Sequence, residues 1–204
     1  MSVIRILGIS GSPRKDKNTQ QLLSRSLQAA EDTGAETRLL NLAELKIKPC
    51  QGCNVCIKEK RCPLDEEDDM HIVKEGLIEA DGIIFASPSY FGSVPGIMKD
   101  MMDRTRDLKM KSHILRDKVA SAISVSGLKH GAGEQVAESL ARFALTHGMI
   151  VVGGCENPIN MSHFAIATLQ GDKGWRSAKK DEIAMVTAAA VGRRITEVAL
   201  ALQK

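Results

Sequence analysis

Val3-Ile4-Arg5-Ile6-Leu7-Gly8-Ile9-Ser10-Gly11-Ser12-Pro13-Arg14-Lys15-Asp16-Lys17-Asn18-Thr19 decides how the rest of this chain is read. Val3 to Ile9 is a short β-branched run ending in small polar residues, which suits a strand buried on both faces of a parallel sheet. The loop after it leads into a helix starting near Asn18 or Thr19, with Leu22, Leu23, Ser26, Leu27 and Ala30 on one face. Small residues let a backbone close around an anion, hydroxyl and amide groups donate to it, and a helix N-terminus adds a favourable dipole. The loop therefore reads as a phosphate nest, while a plain helix cap is the competing reading of any Ser/Thr-rich loop after a strand. Neither the Walker lysine nor G-x-G-x-x-G spacing is present, so a nucleoside triphosphate or an ordinary dinucleotide fits poorly.

Outward from this unit, strand and helix patterns alternate. Glu36 to Leu42, Gly82 to Ser87, Lys118 to Ser126 and Met149 to Gly153 read as further strands. Helices are expected through Ile72 to Ala80, from Gly96 to about Arg106, from Gln135 to His147 and from about Lys180, with 154–178 irregular. Such a rhythm specifies a parallel, doubly wound sheet with right-handed crossovers. With ligand loops after the first, third and fourth strands, the expected α/β fold is flavodoxin-like: five parallel strands in the order 2-1-3-4-5. The loop after the third strand, Pro88-Ser89-Tyr90-Phe91-Gly92, offers aromatics, glycine and stiffening prolines suited to a flat heteroaromatic ring, or else aromatics that cap the core. Met98, Met101 and Met102 read as packing, and Cys155 as a buried thiol.

Residues 43–67 form a cysteine-rich insertion after the second strand, within a single domain spanning 1–204. Cys50, Cys53, Cys56 and Cys62 are spaced C-x2-C-x2-C-x5-C-P and account for four of the five cysteines. Thiolate-only sets select zinc or iron–sulfur clusters over hard cations. Structural zinc sites split their ligands into two pairs, whereas close triplets and a Cys-Pro follow cluster-binding runs, although ferredoxins have three residues before the last cysteine and this chain has five. A [4Fe-4S] cluster, a zinc ion and a redox-sensing or inert thiol group all stay open on spacing alone. Lys58, Lys60 and Arg61 lie in the same stretch, and the acidic run from Asp65 to Asp69 is expected to cap the following helix.

Composition narrows the class. The 204 residues are 43% hydrophobic and 26% charged, enough for one well-buried core. A net charge of +3 with no basic tract argues against nucleic acid as a partner. No apolar run approaches bilayer length, so no membrane partner is expected. Nothing at the N-terminus resembles a signal peptide, and a cytoplasmic protein with reduced thiols is the expectation.

Three stretches carry a resemblance: Gly-Ser-Pro-Arg-Lys-x-x-Asn-Thr after the first strand, the cysteine run after the second, and Ser-Pro-Ser-Tyr-Phe-Gly-Ser-Val-Pro-Gly after the third. Together they resemble the iron–sulfur flavoproteins of anaerobic archaea and bacteria, within the NADPH-dependent FMN reductase group. The resemblance implies FMN with its phosphate on Ser10, Ser12, Pro13, Arg14, Asn18 and Thr19. Its ring would lie on Pro88, Ser89, Tyr90, Phe91 and Gly92, completed by Ser126, Gly127 and Gly131. It also implies a [4Fe-4S] cluster on Cys50, Cys53, Cys56 and Cys62, and a homodimer or homotetramer. One departure is Lys17, where similar loops often carry glycine. The activity expected is oxidoreductase: electrons from a ferredoxin-like donor reach FMN and then a small-molecule acceptor. Two alternatives accompany it, an NAD(P)H-dependent FMN or quinone reductase with a structural cysteine loop, and a redox-sensing interaction module.

Overall fold

A computed structural model describes residues 3–203 of the chain. Strands β1 (Arg5–Ser10), β2 (Glu36–Asn41), β3 (Gly82–Pro88), β4 (Val119–Ser126) and β5 (Ile150–Val151) pair in parallel in the order β2-β1-β3-β4-β5. Between them run α1 (Asn18–Asp32), the single turn α2 (Val55–Lys58), α3 (Met70–Glu79), α4 (Gly96–Arg104), α5 (Arg106–Met110) and α6 (Gly133–Thr146), and α7 (Glu182–Leu202) closes the chain. This is the flavodoxin-like topology that the alternation of elements predicts.

Strand parity builds two cores. Successive side chains of a strand leave on opposite faces, so Ile83 and Phe85 of β3 join Met70, Val73, Met98, Met101 and Leu140 on the side of α3, α4 and α6. Ile84 and Ala86 join Leu22, Leu23, Ala188, Val191 and Ile195 on the side of α1 and α7. Met98 and Met101 are fully buried, in keeping with a packing role.

One edge of the sheet differs from expectation. The strand expected over Met149–Gly153 shrinks to β5, which pairs only with Val119 and Ala120. A further strand, β6 (Ala165–Thr168), takes up the other half of the same edge against Ile123–Ser126, making a six-stranded sheet. Gly153 and Gly154 allow the departure: a Cβ on either would meet backbone, His163 O at 2.7 Å or Val191 N at 2.7 Å. The stretch expected to be irregular thus contains β6 and a small hairpin, β7 (Gln170–Gly171) with β8 (Gly174–Trp175). Cys155, expected to be buried, is exposed.

Candidate functional site

The loops after β1, β3 and β4 meet at the carboxyl ends of their strands around a cavity with ≈ 570 Å³ of empty space, part of it open to solvent. Ligands of open α/β sheets bind at this end, where strand order reverses. Another cleft, beside Arg5, Glu36 and Glu79, opens near the amino end of β1, where none of these loops converges. From the first loop come Ser12, Arg14, Lys17, Asn18 and Thr19; from the second Pro88, Ser89 and Tyr90; from the third Gly127. Lys17, singled out in the sequence as a departure from the usual glycine, lines the cavity, and two further lining residues, Val125 and Leu169, escaped the sequence reading. Ser10, Pro13, Phe91, Gly92, Ser126 and Gly131 flank the cavity and do not line it.

Local geometry explains these placements. Lys17 is the N-cap of α1 with φ −105 and ψ −171, extended backbone open to any residue, so the missing glycine imposes no strain. No side chain caps α1, and an anion in the cavity would meet its free N-terminal dipole. The Ser10 hydroxyl is fully buried without a hydrogen-bond partner. Asn18 Oδ1 accepts from the Ala178 amide at 2.9 Å, which leaves the Asn18 amide group to donate elsewhere. Ser89 Oγ donates to Gly131 O, tying the second loop to the third. Phe91 and Gly92 both have positive φ, 50 and 80, in a tight turn closed by Tyr90 and Ser93. That turn directs Phe91 fully into solvent, which is why its side chain does not line the cavity.

The four cysteines of the motif border a second concavity, with ≈ 390 Å³ of empty space shared with solvent. Cys50 and Cys53 are exposed, Cys56 and Cys62 half-buried. Among the described residues no three His, Cys, Asp or Glu side chains converge tightly enough to hold a metal ion. The donor chemistry still fits a soft inorganic centre, since four thiols face one opening and no disulfide joins them.

Its floor is charged, a feature that sequence alone did not disclose. Arg104, whose side chain is 0% exposed, pairs with Asp65 at 2.8 Å and Asp68 at 2.5 Å. Lys74 pairs with Asp65 at 2.6 Å and Asp107 at 2.8 Å. Burial opposes ionisation of Asp68, but hydrogen bonds from Arg104 and from the Lys48 and Met70 amides outweigh it and hold its carboxyl below the usual range. Burial likewise opposes the Arg104 charge, and Asp68, Asp65 and Cys62 more than restore it. The acidic run expected to cap α3 therefore serves mainly as counterions. Only Asp68 adds a cap-like bond, to Met70 N at 3.0 Å, and Asp69 makes no side-chain cap.

The family model for NADPH-dependent FMN reductases matches residues 4–163. An iron–sulfur flavoprotein of Archaeoglobus fulgidus is 41% identical over 96% of this chain and 96% of its own length. Another, from Methanocaldococcus jannaschii, is 36% identical over 98% of this chain and all of its own. Among solved structures, a flavodoxin from the domain Archaea superposes with a TM-score of 0.60 at 15% identity, over 97% of this chain and 99% of that one, a likeness of fold. Sheet order, loop placement and family model together define a flavodoxin-like FMN-dependent oxidoreductase. Within that class, the chain belongs to the iron–sulfur flavoprotein family.

Proposed function

We propose that the protein takes electrons from a one-electron donor of the ferredoxin kind and delivers them to a small-molecule acceptor, with FMN in the cavity at the strand ends and a [4Fe-4S] cluster on Cys50, Cys53, Cys56 and Cys62. The observation that carries this reading is the pairing of two unlike openings: one lined by the loops after β1, β3 and β4 beside the uncapped start of α1, the other bordered by four thiols. When bound, the two groups supply one-electron exchange and the storage of one or two electrons.

The residues divide the binding work by chemistry. Arg14 and Lys17 bring positive charge to the phosphate end, where Ser12, Asn18 and Thr19 offer donors beside the uncapped start of α1. Pro88, Ser89, Tyr90 and Gly127 border the ring end, and Val125 and Leu169 exclude water there. At the cysteines, Lys58 and Lys60 lie in the exposed surface to which an acidic carrier would dock. α4 begins just past the Pro88–Pro95 loop and ends at Arg104, so the path along one chain from that loop to the cysteine opening includes its nine residues, a rise of about 14 Å. A homodimer or homotetramer that sets one subunit's cysteine loop against another's flavin cavity would shorten that path.

Oxygen-free purification followed by visible and EPR spectroscopy, with iron, sulfide and flavin assays, tests the proposal. Iron, sulfide and FMN bound together are expected; stoichiometric zinc without iron would overturn it. The family model favours one further reading, direct reduction by NADPH with a structural cysteine loop. Rapid flavin reduction by NADPH without a protein donor would select it.

A further inference from the structure

Arg104 lies outside the cysteine motif, yet its buried guanidinium borders the same opening as Cys50, Cys53, Cys56 and Cys62. A buried cation is costly unless paired and hydrogen-bonded, and this one is paired with both ends of a single loop. Nη1 donates to the Lys48 carbonyl at 2.9 Å, two residues before Cys50, and Nη2 donates to Asp65 at 2.8 Å, three residues after Cys62. Asp68 accepts from both nitrogens, at 2.5 and 3.2 Å. The same ends are stitched by backbone: Lys46 N donates to Asp69, Lys48 N to Asp68, and Asp69 N to Lys46 O. From α5, Arg106 adds a bond to Asn54 Oδ1 at 2.9 Å. One buried atom at this floor, Arg104 Nε, has no hydrogen-bond partner, whereas Asp107 Oδ1 lies 2.8 Å from the Lys74 ammonium. A buried polar atom left without a partner calls for a functional explanation.

We infer that Arg104 is the positioning residue of the cysteine site: it draws the loop shut between Lys48 and Asp65 and fixes a positive charge beside the thiols. This rests on the reading of the cysteines as a cluster site. A nearby cation favours the more negative, reduced state of such a centre, and a nearby carboxylate disfavours it.

Two measurements test the assignment. In the metal-free chain, hydrogen exchange at the amides of Lys46, Lys48 and Asp69 is expected to speed up at least about tenfold in Arg104→Gln with Asp68→Asn, a pair that keeps polar shape and removes both charges. Exchange in β1 and β3 should stay at wild-type rates. In the iron-loaded chain, anaerobic redox titration is expected to shift the midpoint potential negative in Arg104→Gln, positive in Asp68→Asn, and little in Arg104→Lys. If Arg104→Gln does not fold, the positive shift of Asp68→Asn and the retained potential of Arg104→Lys still carry the sign. Unchanged exchange in the metal-free double variant overturns the positioning role. Potentials that do not move, or that move in one direction for both charge removals, overturn the fixed-charge role. A wild-type chain that binds no iron defeats the cluster reading instead, and the exchange measurement still decides the positioning role.

Discussion

His147 shows how much a single buried ring can make stability depend on pH. Thr105 Oγ1 donates to Met102 O at 2.7 Å, so its oxygen accepts from His147 Nε2 at 2.9 Å, which assigns the proton to Nε2 and leaves Nδ1 unpartnered. Burial, with the nearby charges of Lys109 and His113, pushes the ring's pKa down from 6.5 to about 4. An unfolded chain takes up this proton below about pH 6.5 and the folded one resists it until about pH 4, so stability is full above the window and drains as pH falls through it. Urea unfolding should lose up to about 3 kcal/mol across that range, and His147→Gln should flatten that part of the curve. At the phosphate end, Arg14→Ala with Lys17→Ala should weaken FMN binding by about 2–3 kcal/mol while riboflavin affinity, read by flavin fluorescence, stays unchanged. The Gly-Ser-Pro-Arg loop was legible because its residue types are those a phosphate needs in consecutive positions. Arg104 was not, since its carboxylate partners lie 36 and 39 residues away and no local pattern joins them.

Between helices, the closest approach at a glycine among the described residues is the crossing of α1 and α7. Gly192 sits against the backbone of α1, where any Cβ would overlap the Ser26 carbonyl oxygen, and Ser26 Oγ donates to Ala188 O across the same contact. Gly192→Ala must therefore push the helices apart and stretch that bond. A loss of about 1–3 kcal/mol is expected by thermal or urea unfolding, with flavin still bound below the transition. The four long strands were legible from continuous apolar runs, which both faces of a covered sheet require. The split edge was not: Ala165-Ile166-Ala167-Thr168 is too short and too weakly apolar to outweigh the loop signals around it. Its place is set by β4, whose second half pairs with β3 on one side and would otherwise present an open edge on the other.

Across the whole molecule, a net charge of +3 is too small to steer a carrier by itself, so any steering must be local. Arg61 is held by Glu59 at 2.8 Å, and no ion pair engages Lys58 or Lys60 among the described residues. Lys58→Glu with Lys60→Glu should slow reduction by a ferredoxin-like donor about tenfold at low salt and leave reduction by dithionite unchanged; stopped-flow traces at rising ionic strength, where the difference fades, would check it. One helix gives the assembly a last property. Because α4 starts just past the Pro88–Pro95 loop and its last residue, Arg104, borders the cysteine opening, a single helix serves as the axle between the two regions. Were occupation of one site to shift that axle, linkage would require the affinity of the other site to change by the same factor.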